Sequence, residues 1–212
     1  LTNLEILNIY GYNISEIPIE IGQLQNLTHL SIWGSYKSIP ESIGKLKKLT
    51  NLTLVDGFSE IPESISQCEE LKELTIGSEY VSSIPLSILQ KNDLHIHIVG
   101  HSFNAEKNLK TNFNLIIPHD YQLNCRSIGI DNFKTLKFHY YSKKTSQIRT
   151  LRISRSNIDQ SLGNIIDFSN KHAEQLELLN LPKLSDMQKK ILLSNIQSKS
   201  LEIRSEDLLF RP

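Results

Sequence analysis

The stretch that decides the fold is SIPESIGKLKKLTNLTLVDGFSEIPESI, residues 38–65, which ends almost as it begins. The hexapeptide SIPESI starts at Ser38, and EIPESI starts at Glu60, 22 residues later. Between them, Leu52 and Leu54 are separated by one polar residue, as in a strand with one buried face. Self-similarity at a fixed interval of about 20–50 residues is typical of repeat architectures. The stretch therefore predicts a chain wound into successive, similar coils.

The same interval orders the aliphatic residues along the first hundred positions. One column contains Leu7, Leu30, Leu52, Leu74 and Ile96, and a second contains Ile9, Ile32, Leu54, Ile76 and Ile98. Ile-Pro pairs recur at 17–18, 39–40, 61–62 and 84–85. Proline cannot donate a ladder hydrogen bond, so each pair is expected to turn the chain away from the strand. A single coil cannot bury its own aliphatic side chains, but stacked coils share one core.

These motifs resemble the leucine-rich repeat family, in its form with about 22–23 residues per repeat and a second half of the pattern IPxxIxxLxxL. The resemblance covers residues 1–100. It implies an α/β fold, a right-handed solenoid or horseshoe with short parallel strands on its concave face. In the family, most partners bind on this face. The repeat style, with a composition rich in Ile, Asn, Lys and Ser, favours a bacterial source.

One position of the repeat departs from the family pattern. Five residues after the second leucine of the L-x-x-L-x-L frame, the family usually has Asn or Cys, whose side chain bonds to backbone groups between coils. The residues at this position here are Tyr12, Ser35, Gly57 and Glu79. Buried backbone groups must then find other partners. The loops that follow contain aromatic residues that we expect to fill the space, namely Tyr36, Phe58 and Tyr80.

The second half of the chain, residues 101–212, repeats less regularly. Alternating patterns predict strands at 135–141, 150–154, 175–179 and 200–204, and Leu151, Leu176 and Leu201 recur every 25 residues. Helical patterns lie between them, one with a capping box from Ser185 to Gln188. We therefore predict two parts: regular repeats over 1–100, and longer, irregular repeats with outer helices over 101–212. A small, separate α/β domain over 101–212 is the alternative.

The strand residues between the buried columns are expected to face a partner. Tyr10 and Trp33 should lie side by side there, and exposed aromatic side chains are typical of protein-binding hot spots. The alternative is that the two rings pack on each other and on a preceding coil that is missing from this sequence. The predicted partner-binding residues are Ile6, Asn8, Tyr10, His29, Ser31, Trp33, Asn51, Thr53, Val55, Asp56, Glu73 and Thr75.

A second candidate surface is the basic segment 134–155, which contains no acidic residue. Its interleaved aromatic residues could stack on bases, and its cations could bind phosphates or an acidic protein patch. Alternatively, Lys137, Arg152, Glu177 and Glu202 could follow one another on successive strands in one outward-facing row. Cross-strand ion pairs would then account for these basic residues without any ligand. The predicted basic patch is Lys137, Lys143, Lys144, Arg149, Arg152 and Arg155.

Other chemistry finds little support in the sequence. His95 and His97, with His101 nearby, could hold a metal, but no carboxylate or thiol stands at ligand spacing, so we expect no metal and no cofactor. Cys125 with His119 and Asp120 lacks any nucleophile signature, so we expect no enzyme. No apolar run is long enough to span a membrane, and Lys plus Arg balances Asp plus Glu at 23 each.

The sequence thus predicts a module that recognises another protein on its concave face. The alternatives are binding of a polyanion or nucleic acid through the basic segment, and service as the repeat domain of a larger bacterial effector or receptor-like protein. Nucleic acid is the less favoured partner, because the balanced charge supplies no general attraction for it.

Overall fold

The structure is a computed structural model, and its description covers most of the chain. The described residues are 3–11, 13–78, 80–81, 83–99, 112–117, 125–131, 135–140, 148–154, 158, 161–179, 181, 184–196, 200–205 and 208–210. The predicted residues Lys143, Lys144 and Arg155 lie outside them, as do His101, His119 and Asp120.

The first five strands form a parallel sheet with one strand per coil. They are β1 (Ile6–Gly11), β2 (His29–Gly34), β3 (Asn51–Val55), β4 (Glu73–Gly77) and β5 (His95–Val99). The register pairs Leu7 with Leu30, Leu30 with Leu52, Leu52 with Leu74 and Leu74 with Ile96. The aliphatic column predicted from the 22-residue interval is therefore confirmed as one stack.

The outer layer of these coils consists of short helices that begin directly after the prolines. Three are 3₁₀ helices, Ile19–Gln23, Glu41–Lys45 and Glu63–Gln67, and the fourth is α1 (Leu86–Leu89). Each proline has an extended backbone, which ends the preceding extended segment and starts the helix without needing its missing N–H. The helices turn Ile21, Ile43, Ile65 and Ile88 into the core.

Two of the aromatic rings expected to fill the space between coils are buried and stacked. Tyr36 and Phe58 are fully buried and stack with ring centroids 5.5 Å apart and planes 11° apart. Their burial confirms the expected filling for two coils. In the next coil Val81 is buried instead, and Tyr80 is 62% exposed, so the expectation for Tyr80 is wrong. In that coil a serine hydroxyl, and not an asparagine amide, bonds to the backbone: Ser78 Oγ donates to the Phe58 carbonyl at 2.6 Å.

The sheet continues into the second half of the chain. Its further elements are β6 (Asn112–Ile117), β7 (Ser127–Asp131), β8 (Thr135–Tyr140), β9 (Ile148–Ser154), α2 (Leu162–His172), β10 (Ala173–Leu179), α3 (Asp186–Asn195), β11 (Ser200–Ser205) and β12 (Leu208–Phe210). Strands β7, β9, β10 and β11 join β5 in parallel order, and β12 adds an antiparallel edge. The predicted α/β solenoid with longer, helix-bearing repeats is confirmed, whereas a boundary at residue 100 stays a prediction.

Strands β6 and β8 form a separate parallel pair. Helix α2 contacts both β8 and β10, so β8 lies in the outer layer and not in the main sheet. The expectation that Lys137 shares a row with Arg152 is therefore wrong. Gly129 of β7 is the actual neighbour of Arg152 on that side. The alternation of apolar and polar residues over 135–141 correctly predicted a strand. It could not predict which layer holds the strand, because the alternation is the same for a strand in either layer.

The two long helices have the ends and faces that their sequences predict. Ser185 Oγ accepts from the Gln188 N–H at 3.2 Å, and Gln188 Oε1 accepts from the Ser185 N–H at 2.7 Å, which completes the capping box of α3. Helix α3 buries Leu192 in the core, and α2 buries Ile165 and Ile166. Helix α2 ends at His172, and Ala173 begins β10.

Candidate functional site: the open face of the sheet

The face of the main sheet opposite the outer helices is the candidate site, and we call it the concave face. Parallel pairing places equivalent residues of successive coils side by side in three rows. The first row runs from Ile6 through His29, Asn51, Glu73, His95, Ser127 and Thr150 to Gln175, and the second from Asn8 through Ser31, Thr53, Thr75, His97, Gly129 and Arg152 to Glu177. Tyr10, Trp33 and Val55 begin the third.

Three large apolar side chains lie together at the β1–β2 end of this face, and we call them the aromatic end: Ile6, Tyr10 and Trp33. Tyr10 is 70% exposed and Ile6 is 57% exposed. The rings of Tyr10 and Trp33 are 6.2 Å apart and tilted by 31°, within the range of favourable aromatic pairs. Trp33 is half-buried, and its Nε1–H donates to Ser31 Oγ at 2.7 Å, which fixes the indole on the sheet. The predicted pairing of the two rings is present.

The polar residues beside the aromatic end are held by hydrogen bonds. Thr28 Oγ1 lies 2.9 Å from Nδ1 of the exposed His29. Asn51 Nδ2 donates to Glu73 Oε2 at 2.7 Å, and Thr50 Oγ1 donates to Asn51 Oδ1 at 2.8 Å. This chain of contacts orients donors and acceptors before any partner arrives, which reduces the entropy lost on binding.

Two of the predicted contact residues, Val55 and Asp56, differ from the others in burial or in position. Val55 is fully buried, so it offers no surface to a partner. The neighbouring residue on β4 is Gly77, and a Cβ there would lie 3.4 Å from both Val55 methyl carbons, so Val55 fills the space above the glycine. Asp56 lies in the turn after β3, half-buried with a φ of 70°, and its N–H donates to the Gly77 carbonyl.

A groove of about 510 Å³ lies further along the same face, over β4, β5, β7, β9 and β10, and we call it the central groove. Its lining includes Glu73, Thr75, His95, His97, Ser127, Gly129, Arg149, Thr150, Arg152 and Gln175. The groove is open because small residues, such as Gly129, line it. A Cβ at Gly129 would lie 3.1 Å from His97 Cδ2, so the imidazole borders a position without a side chain.

Several polar groups of the central groove are already paired. His95 Nδ1 lies 2.7 Å from Ser127 Oγ. Arg152 forms an ion pair with the buried Glu177, whose second carboxylate oxygen accepts from Gln175 Nε2 at 2.9 Å. The cross-strand ion pair suggested for Arg152 is present. Its partner is largely removed from water, so Arg152 first serves to compensate a buried carboxylate.

The members of the predicted basic patch that the structure describes are divided between two layers. Lys137 has its backbone in β8 of the outer pair, whereas Arg149 and Arg152 lie on β9 of the main sheet. Arg149 is exposed, and among the described residues no carboxylate forms an ion pair with its guanidinium. Of the two described arginines of the patch on β9, Arg149 is thus the one without a carboxylate partner among the described residues.

Neither cysteine shows the properties of a nucleophile. Cys68 and Cys125 are free thiols without exposed area. Burial raises the pKa of Cys68 to about 11, with a smaller opposing effect of Lys91 and Lys47, and burial raises the pKa of Cys125 to about 12. Reactive cysteines have a lowered pKa, because the thiolate is the attacking species. The two thiols act as core side chains.

Neither a metal-binding group nor a membrane-spanning helix is present in the described part of the chain. No three His, Cys, Asp or Glu side chains come together there as a metal-binding group. Within the same residues, no helix has both the length and the apolar character needed to cross a bilayer.

Stacked coils that share one parallel sheet and leave one face open define the class of solenoid repeat proteins. The family profile described as a leucine-rich repeat region matches residues 1–207. The chain belongs to the leucine-rich repeat family. Proteins of this family and fold generally mediate protein–protein interactions and are typically not enzymes.

Among solved structures, a leucine-rich repeat protein of Leptospira interrogans is similar to this chain. The two share 24% sequence identity with a TM-score of 0.36, and the match covers 95% of this chain. The chain spans 61% of the length of that protein. A comparison with curated proteins finds no match.

Proposed function

We propose that the chain recognises another protein through its concave face, with the aromatic end as the main anchor. The observation that carries the proposal is the exposure of Tyr10 and Ile6 beside the fixed Trp33 ring. Tryptophan and tyrosine are enriched in interface hot spots, because they bury much area and lose little side-chain entropy. The hydrogen-bonded polar row beside them supplies the oriented contacts that give specificity.

The expected contact surface follows from the exposure of each predicted residue. Val55 is left out because it is buried. The proposed contact residues are Ile6, Asn8, Tyr10, His29, Ser31, Trp33, Asn51, Thr53, Glu73 and Thr75, with Asp56 at the border. Binding of a polyanion or nucleic acid through the basic segment 134–155 stays a prediction, because Lys143 and Lys144 lie outside the described residues. Service as the repeat domain of a larger protein stays a prediction.

Trp33 offers a direct test, because it is the only tryptophan of the chain. The chain is used as bait for partners from its source cells, and a captured protein is then titrated while the Trp33 emission is followed. Binding over the aromatic end is expected to shift that emission to shorter wavelength. The Tyr10→Ala change is expected to weaken binding about 30-fold, the effect of losing a hot-spot contact of about 2 kcal/mol.

Tyr80→Ala is the matched control. Tyr80 is a similarly exposed tyrosine, at 62%, but it lies in a loop and not on the concave face. This change should leave both affinity and emission unaffected. Equal losses for Tyr10→Ala and Tyr80→Ala, or a Tyr10→Ala melting temperature lower by more than about 5 °C, would show that the aromatic end is structural.

A further inference from the structure

We propose that a groove on one lateral edge of the solenoid binds a basic segment, rich in arginine or lysine, of a second protein, other than the partner of the concave face. The groove has a volume of about 760 Å³ and crosses the coils of β2, β3 and β4, where the chain passes from each strand to the outer helix. We call it the lateral groove. It is separate from the concave face, so this inference goes beyond the proposed function and does not depend on it.

The floor of the lateral groove is apolar. Three isoleucines and two prolines line it, namely Ile39, Ile61, Pro62, Ile84 and Pro85. Each isoleucine is a member of the hydrophobic core and keeps an exposed area of only 5–7%. Because the floor is the outer edge of a packed core, it should keep its shape when a ligand binds.

An exposed aromatic ring borders this floor. Tyr80 lines the groove and is 62% exposed, whereas Tyr36 and Phe58 of the two preceding coils are buried. The backbone holds Tyr80 outside, because its N–H donates to Ser78 Oγ at 3.2 Å and the next residue, Val81, is buried. The core of this coil is therefore filled without the tyrosine ring, which leaves most of the ring available to a ligand.

Negative charge surrounds the same floor. Glu41, Glu60 and Glu63 line the groove, and Lys37 is the cation that lines it with them. Three carboxylates against one ammonium leave a net charge of −2. Within the described ranges, neither the three carboxylates nor Lys37 takes part in an ion pair. All four side chains are exposed, so their charges act on whatever enters the groove.

The surroundings do not cancel this charge. Residues 1–100 contain 12 acidic and 6 basic residues. Glu16 of the first coil adds a further carboxylate nearby, because the Lys37 N–H donates to the carbonyl of the adjacent Ser15. Lys45 and Lys72 stand at the opposite ends of their helix and strand from the groove. The remaining lysines contact other groups: Lys47 contacts Glu69, Lys48 contacts Asn26 and Lys91 contacts Ser66.

These features together select an extended basic segment as the occupant. An arginine or lysine can lie over the face of a tyrosine ring and also pair with a carboxylate. Glu41 and Glu63 hold equivalent positions in successive coils, so the negative charge is spread along the groove and fits several cations of one chain. A compact divalent cation would need its ligands around one point, and the described residues contain no such group of three. Arginine is favoured over lysine because its planar guanidinium stacks on aromatic rings.

The test uses the whole chain and a fluorescently labelled ten-residue peptide of alternating arginine and glycine, with fluorescence anisotropy at about 50 mM and about 200 mM salt. Affinity should fall as salt rises. Glu60→Gln combined with Glu63→Gln should weaken binding about tenfold at the lower salt concentration. Tyr80→Ala should weaken it about fivefold, and Tyr80→Phe, which keeps the ring, should leave it within about twofold of wild type. A peptide with citrulline in place of arginine has the same shape without the charge and should bind at least about tenfold more weakly.

The matched control is Glu69→Gln combined with Glu70→Gln, which removes the same charge from the same coil outside the groove. It should leave affinity within about twofold of wild type. Equal losses in the two double variants would overturn the proposal, because the peptide would then follow the general negative charge of this half of the chain.

Two other results would also overturn the proposal. Unchanged affinity in Tyr80→Ala would show that the ring does not contact the peptide. A shift of the Trp33 emission on addition of the peptide would place it on the concave face instead. Because the proposed function is tested with a different ligand and through Trp33, failure of peptide binding would refute the lateral groove alone.

Discussion

The aromatic stack between coils should contribute strongly to stability, and replacing Phe58 by alanine tests this. Phe58 is fully buried and stacks on Tyr36. Its backbone contacts do not depend on the ring: the Phe58 N–H donates to the Asp56 carbonyl at 3.0 Å, and Ser78 Oγ donates to the Phe58 carbonyl. Phe58→Ala therefore removes the ring and leaves those hydrogen bonds in place.

The magnitude follows from the burial of the ring. Truncation of a buried phenylalanine to alanine costs about 3–5 kcal/mol, from lost transfer free energy and the remaining cavity. Phe58 has no exposed area, and its stacking on Tyr36 is lost as well, so we expect about 4 kcal/mol. With a urea dependence of about 2 kcal/mol per molar, the unfolding midpoint should fall by about 2 M.

Urea unfolding followed by circular dichroism measures this change. Tyr80→Ala is the control, since Tyr80 holds the equivalent position one coil later but is mostly exposed. It should cost less than about 0.5 kcal/mol. A midpoint of Phe58→Ala close to that of Tyr80→Ala would refute the conclusion that the buried stack contributes strongly to stability.

Four further predictions have defined outcomes. Gly57→Ala should lower the free energy of unfolding by about 2 kcal/mol or more in urea, because Gly57 has a φ of 76° and its Cβ would lie 2.4 Å from the Tyr36 carbonyl oxygen. Ser185→Ala should cost about 1 kcal/mol, measured the same way, through loss of the α3 cap. At pH 8, Cys68 and Cys125 should react with a disulfide reagent only after urea is added, since both thiols are buried and their pKa values are raised. Stability should also fall as pH rises from about 9 to about 11, because the Cys68 thiol ionises near 9.0 when unfolded and near 11 when folded.

The repeated coils could be predicted from the sequence because each buried column follows one spacing. Leu151, Leu176 and Leu201 are also paired in strand register, as their 25-residue interval predicts. Ile128, which joins Ile96 to Leu151 in the same column, could not be found in this way. It follows Ile96 by 32 residues, because β6 and its connections are inserted between β5 and β7.

The candidate site could be predicted only where neighbouring coils are regular. The pairing of Tyr10 with Trp33 follows from their equivalent positions in successive repeats. The burial of Val55 could not be predicted from alternation, because it depends on the absence of a side chain at Gly77 one strand away. The central groove was missed for a related reason. The groove lies across β5, β7 and β9, which are neighbours in the sheet only because β6 and β8 pair with each other outside it. The sequence does not show which strands leave the main sheet.

That change of outer layer also affects how the chain bends. Paired strands such as β6 and β8 have a spacing of about 4.8 Å, the same as the strands of the inner sheet, so the coils that contain them add little angle. Packed helices need about 8–10 Å, so α2, which contacts both β10 and α3, should separate the coils there by more than paired strands do. Curvature should therefore be low along β5 to β9 and increase beyond β9. An elongated ligand on the concave face would therefore contact a nearly straight surface along β5 to β9 and a more strongly curved one beyond β9.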